Sequence, residues 1–313
     1  MQILSKTNIN FIKWRWHAIA FSTILIVVGV AQILTQGFKL GVDFSGGTVM
    51  VLRFEQPVSE DAIRSALATL PGEKTVQRYG AAADNQVLIR LPQVLEVQEG
   101  QTLDDASNAV LDLVRQANLG AFEPDRIGIV GPVIGADLRR KGVLATVFAL
   151  LGMLVYIGLR FRFSFAAGAI IATFHDVLVT LIFLHWFGYE MSLNTIAALL
   201  TMTDLSVNDT IVIFDRVREN SRLMRKDALE PLVNLSVNQT LSRTIITAGT
   251  TFLAVLGLYL YGGEALEGFA FTMLVGVISG TYSTVFIAAA IAIVLTKPAP
   301  TSGSAARRSK TSS

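Results

Sequence analysis

Three aspartates stand where lipid would be expected. Asp176, Asp204 and Asp209 fall inside long runs otherwise almost free of charge, with His175 beside the first, Asn208 beside the last and Arg243 at the start of a later run. An ionisable side chain at the bilayer centre costs about 2.5 to 3.5 kcal/mol on insertion scales, so each one implies either proton chemistry or a fixed polar contact between helices. Burial disfavours a charged carboxylate and a nearby arginine favours it, and where the two oppose each other a carboxyl can exchange protons near neutral pH. Asp209 and Arg243 are the candidate pair for that chemistry, with Asn208 beside them. Asp209 lies about five residues, roughly 7 Å, inside the end of its run, within reach of an arginine that opens the next. A proton crossing 100 mV carries about 2.3 kcal/mol, enough to bias a conformational equilibrium if one conformer prefers the protonated carboxyl. A static polar clamp between helices is the competing role.

The remaining polar positions are secondary sites. His175 and Asp176 project about 100° apart on a helix, which predicts that at least one makes a hydrogen bond to a neighbouring helix. Asp204 lies about 140° around the helix from Asp209 and one turn before Asn208, with which it is expected to pair. Hydroxyl and small residues cluster at Thr247, Gly249, Thr250 and Thr251, and again from Gly276 through Ser279, Gly280, Thr281, Tyr282, Ser283 and Thr284. Close helix packing explains them; a hydrated path past Thr281 and Ser283 to Asp209 is the sharper reading. His185, near the outer end of its run, is expected at the interface. There is no cysteine and there are only three histidines, so disulfides and thiolate metal sites are excluded and a histidine-rich metal site is not expected. No Walker sequence, nucleophile elbow or metal-ligand cluster points to an enzyme, and no cofactor is expected beyond protons as coupling ion. Gly41 to Thr48 lacks the Lys-Ser/Thr ending of a phosphate loop and does not open a helix, so it reads as a tight glycine turn into a strand.

The elements that must position these residues are membrane helices. The chain of 313 residues is 52% hydrophobic and 16% charged, with a mean hydropathy of +0.53, too apolar for an ordinary soluble protein. A net charge of +2 without a basic run among aromatics gives no case for nucleic acid. Runs of about 20 apolar residues, the length that crosses a hydrocarbon core, predict spans at 17–36, 142–159, 165–189, 191–214, 244–261 and 269–296. The first is too long for a signal peptide and no small-residue cleavage site follows, so it reads as a retained anchor after a cytoplasmic segment 1–16. Arginines and lysines crowd one set of short loops, at Arg160, Arg162, Arg216, Arg218, Arg222, Arg225 and Lys226, and the tail at Arg307, Arg308 and Lys310. Both termini and the loop 215–243 are therefore expected in the cytoplasm, and 37–141 outside. Arg139, Arg140 and Lys141 disagree, as residues next to long translocated domains often do. The outer stretch alternates strand and helix signals in the order βαββαβ, an α+β ferredoxin-like domain, with linkers at 92–101 and 131–141. Residues 297–313 are expected to form a disordered cytoplasmic tail.

The chain resembles a known family in Gly41 to Thr48, in Gly131-Pro132 with Gly135, in His175-Asp176 and in Ser242-Arg243-Thr244 and Gly280-Thr281-Tyr282-Ser283. Most specific is the run Ser206-Val207-Asn208-Asp209-Thr210-Ile211-Val212-Ile213-Phe214-Asp215-Arg216-Val217-Arg218-Glu219-Asn220. These are similar to the SecD/SecF family of protein-export subunits in the RND permease superfamily. The resemblance implies a six-helix, polytopic α-helical half of an RND-type transporter in the bacterial cytoplasmic membrane, in complex with a SecD partner. It further implies assistance to the SecYEG channel, an indirect link to the ATPase SecA, an association with YajC, and an unfolded preprotein as substrate, driven by the proton-motive force. Asp209 matches the family's proton-linked aspartate and Arg243 its partner arginine. Thr203, Asp204 and Leu205 stand where the family usually has a glycine and an aromatic, so Asp204 is an extra acid. An RND-type small-molecule or lipid exporter half, and a non-transporting assembly factor, are the alternative readings.

Overall fold

A computed structural model describes residues 7–70, 74–79, 84–92, 103–130, 132–224 and 228–296. Among the described residues, six helices are long and apolar enough to cross a membrane. They are α1 (Arg15–Gln36), α5 (Pro132–Arg160), α6 (Phe163–Trp186), α7 (Leu193–Leu223), α8 (Leu229–Tyr261) and a broken sixth span. The last consists of α9 (Glu264–Ser283), a π turn (Thr284–Ala288) and α10 (Ala289–Leu295).

The expected spans are all present, but three boundaries move. The presumed linker 131–141 is helical from Pro132 onward, so the second span starts nearly three turns early. Proline at the first helical position costs nothing, because its missing N–H would have no partner there. The loop expected at 215–243 is instead a helical hairpin: α7 runs to Leu223 and α8 starts at Leu229. At 31 and 33 residues these helices reach roughly 46 and 50 Å, well beyond a hydrocarbon core. Polar contacts hold the extensions together, since Asn220 Nδ2 donates to Ser236 Oγ and Gln239 Oε1, both at 2.8 Å. An uninterrupted apolar run marks only the part of a helix that spans the membrane, so the amphipathic continuations, with Val217, Leu232, Val233 and Val237 buried between polar residues, read as loop. The linker 92–101 from Gln93 onward and the tail 297–313 lie outside the described residues.

The spans differ in burial. Helices α6, α7 and the sixth span form the core, while α1, α5 and α8 lie around it with most of their apolar surface open. Where α9 meets α7, a Cβ on Gly276 would stand 2.6 Å from the Met202 side chain and one on Gly280 2.8 Å from Ser206. Only glycine allows that approach.

The domain between α1 and α5 follows the expected element order. Strand β1 (Gly47–Phe54), α3 (Glu60–Ala66), β2 (Thr75–Tyr79), β3 (Gln86–Pro92), α4 (Leu103–Gln116) and β4 (Phe122–Val130) succeed a single helical turn, α2 (Val42–Ser45). That turn corrects the glycine segment's reading as turn alone. The four strands make one antiparallel sheet in the order β2-β3-β1-β4. Ser59 caps α3 by accepting from the Ala62 N–H. One sheet face is buried under α3 and α4 through Met50, Leu52, Ile89, Ile63 and Val110. Pro124 stands on the edge strand β4 beside a register shift, where a missing donor does not break a ladder.

Candidate functional site

Helix α7 carries Asp209 among residues that pack into α8 and α9, and its alternation of buried and exposed positions fixes what each polar residue meets. Asp209 is 8% exposed. It lines a cavity of about 20 Å³ with Leu205 and Ser206 of α7, Thr247 and Thr251 of α8 and Thr281 of α9, a space on the order of one water. Among the described residues no hydrogen bond and no ion pair within 4 Å reaches its carboxyl. Arg243 lies on α8 one turn before Thr247, with its side chain exposed, close enough for its charge to act on Asp209. Asp209 is thus a buried carboxyl, open to a small cavity lined by hydroxyl and apolar side chains and under the influence of the Arg243 guanidinium.

Asp176 is the opposite case. It is fully buried, and both oxygens accept hydrogen bonds: Oδ2 from Ser206 Oγ at 2.6 Å and Ser283 Oγ at 2.7 Å, Oδ1 from Ser279 Oγ at 2.8 Å. His175 Nδ1 stands 3.0 Å from Oδ1. The carboxyl on α6 therefore holds α7 and α9 at once. His175 Nε2 is buried without a partner, and the ring lines a cleft of about 280 Å³ with Phe21, Leu25 and Val179 between α1, α6 and α9. Ser206 joins the two environments, touching Asp176 and lining the Asp209 cavity. One residue past Asp209, Thr210 Oγ1 meets Thr284 Oγ1 at 3.0 Å, at the first residue of the π turn.

The structure does not bring the other candidates to this cavity. Asp204 and Asn208 are both exposed on α7, and no hydrogen bond joins them, which corrects the expected pairing. A spacing of four residues puts the two on one helix face, and both are exposed there. Ser283 serves Asp176 rather than a path to Asp209, while Thr281 faces the cavity. His185 packs its ring 6.0 Å from that of Phe38 near the outer ends.

Two arrangements escaped the sequence reading. Tyr189, in the turn between α6 and α7, donates to Glu267 Oε1 at 2.7 Å and lies 3.1 Å from the Tyr259 hydroxyl. Burial first, then these hydrogen bonds, push its phenol well above the usual tyrosine range, so it remains a donor. The same turn touches the segment that opens the outer domain: Gly41 N donates to Met191 O at 2.7 Å, and Asp43 Oδ2 accepts from Leu193 N at 3.1 Å. Contacts across about 150 residues leave no local signal; the acid type at Asp43 and the glycines around it were the only hints.

Comparison with known proteins gives consistent matches. The family model "Protein export membrane protein SecD/SecF, C-terminal" matches residues 110–298, and "SecD/SecF GG Motif" matches 33–58. Protein translocase subunit SecF of Escherichia coli O157:H7 is 39% identical over 287 residues, which cover 91% of this chain and 87% of that one. The SecF subunit of Pseudomonas aeruginosa is 40% identical, with 92% of each chain covered. Among solved structures, SecDF of Thermus thermophilus, described as a translocon-associated membrane protein, aligns with a TM-score of 0.79 at 33% identity. The alignment covers 92% of this chain and 39% of that one, so the chain spans about two fifths of its length. SecDF in a super-membrane-facing form aligns with a TM-score of 0.70 at 32% identity.

Proposed function

The chain belongs to the SecD/SecF family of protein-export membrane proteins and is a multi-pass Sec export subunit of the bacterial inner membrane; from that premise we propose that it couples proton flow to polypeptide export through Asp209. The observation that carries this reading is the contrast between the two buried carboxyls. Asp176 is saturated by hydrogen bonds, whereas Asp209 has none among the described residues and opens on a cavity beside Arg243. A proton carrier must gain and lose its proton without dismantling a network, and only Asp209 meets that condition.

The working unit includes a second, SecD-type half. The SecDF relatives are more than twice as long as this chain, and Asp204 and Asn208 lie exposed on α7, where contact with lipid is costly and a facing helix would cover them. Its neighbours in export are the SecYEG channel, SecA and YajC, and its substrate is an unfolded preprotein. Both termini lie in the cytoplasm, from the distribution of arginine and lysine. No catalytic residue and no cofactor enter this account; protons are the coupling ion.

Export measured in inverted vesicles, with and without a proton gradient, tests the proposal. Asp209→Asn and Arg243→Ala are expected to insert normally and to lose the gradient-dependent increment. The bias at stake is about 2.3 kcal/mol per proton at 100 mV, on the order of fiftyfold in an equilibrium. A full increment in Asp209→Asn rejects the proton role and leaves an assembly factor. Normal precursor export in cells lacking the chain, with altered drug or lipid sensitivity, points instead to a small-molecule exporter half.

A further inference from the structure

The outer sheet is joined covalently to α1, through residues 37–46, and to α5, which follows β4 directly. Helix α7, which carries Asp209, has no such path. Its first residue and the turn before it nevertheless meet the sheet and its root at four points. Leu40 and Met191 form a backbone bridge, with Gly41 N donating to Met191 O at 2.7 Å and Met191 N to Lys39 O at 2.8 Å. Asp43 Oδ2 accepts from the N–H of Leu193, the first residue of α7, which has no partner inside the helix. Ser192 caps the same end by accepting from Thr195 N, so the Asp43 bond adds to a cap that already exists. Arg90 of β3 pairs with Glu190 at 2.8 Å.

The segment bearing Asp43 has little freedom of its own. A Cβ on Gly135 of α5 would stand 3.0 Å from Gly46 N, and one on Gly41 would stand 3.0 Å from Met191 O. Phe44 is buried. Gly46 and Gly47 follow with φ of 75° and 140°, a turn that side chains resist, and it leads straight into the central strand β1. Any shift of the first turn of α7 is thus passed to a short, tightly held connector and on to the strand that pairs with both β3 and β4. Asp209 lies sixteen residues further along α7, about 24 Å at 1.5 Å per residue, on one continuous helix.

We propose that Asp43 is a positioning residue that locks the root of the outer sheet to the first turn of α7, so that a displacement of α7 begun at Asp209 moves β1. This rests on the proton role argued above, and its test uses a different measurement. The chain has no cysteine, so spin labels can be placed at Asp61→Cys on α3 and Tyr261→Cys at the outer end of α8, both highly exposed positions. In the membrane-embedded complex, the distance distribution is expected to shift between the native chain and Asp209→Asn. Asp43→Ala should abolish that shift, Asp43→Asn, which keeps an acceptor oxygen, should restore it, and Arg90→Gln should leave it intact. A shift that survives Asp43→Ala, or is absent from the native background, overturns the inference, whatever the export assay says about Asp209. Hydrogen exchange supplies a check without altering Asp43: the Leu193 amide should stay protected in both the native chain and Asp209→Asn, and rapid exchange in either one also overturns it.

Discussion

Asp176 accepts hydrogen bonds from three serines on two other helices, and in a low-dielectric interior those hydroxyls have no alternative partner of equal strength. Removing the carboxyl strands Ser206 and Ser279 and leaves Ser283 only the Gly280 carbonyl at 3.2 Å. Asp176→Ala is expected to destabilise the chain by on the order of 3 kcal/mol, seen as a lower melting temperature in detergent, while Asp176→Asn keeps an acceptor oxygen and loses less. The sequence announced the acid, and the spacing of Ser279 and Ser283 placed both on one face of a helix. It could not announce their convergence, which depends on how three helices are rotated about their axes. Asp204 illustrates the same limit from the other side, since its spacing to Asn208 allowed a contact that the exposed rotamers do not make.

Helix elements were legible in proportion to their apolar content. Each span surfaced as a run of hydrophobic residues, whereas the extensions of α7 and α8 were hidden because their buried stripe of Val217, Leu232, Val233 and Val237 is interleaved with polar and charged residues and never forms a continuous apolar run. The α9 and α7 pairing depends on Gly276 and Gly280, which the sequence showed within a cluster of small and hydroxyl residues. A methyl at Gly276 would overlap Met202 at 2.6 Å, so Gly276→Ala must push the helices apart. The expected cost is about 1 to 3 kcal/mol, read from thermal unfolding. Export should fall with it, because Ser206 and the cavity of Asp209 lie on the seam that opens.

Over the whole molecule, six spans must hold their rotational phase together, since a helix turned by one residue, about 100°, points its polar groups at the wrong neighbour. The sequence supplied the number of spans and the strand and helix order of the outer domain, but not the joints between them, such as the contact of Asp43 with α7. The π turn at Thr284–Ala288 bears on this phase in a further way. A π turn holds one residue more than the α-helical turn it replaces. Deleting Ile287 should therefore convert it into an ordinary helical turn and leave α10 in phase, with insertion and folding largely kept. Deleting Ile278 within α9 should rotate everything beyond it and prevent folding, as a protease-resistance assay would report. The sixth span thus carries a spare residue next to the contact between Thr284 and Thr210, a place where chain length can change by one without the rest of the molecule registering it.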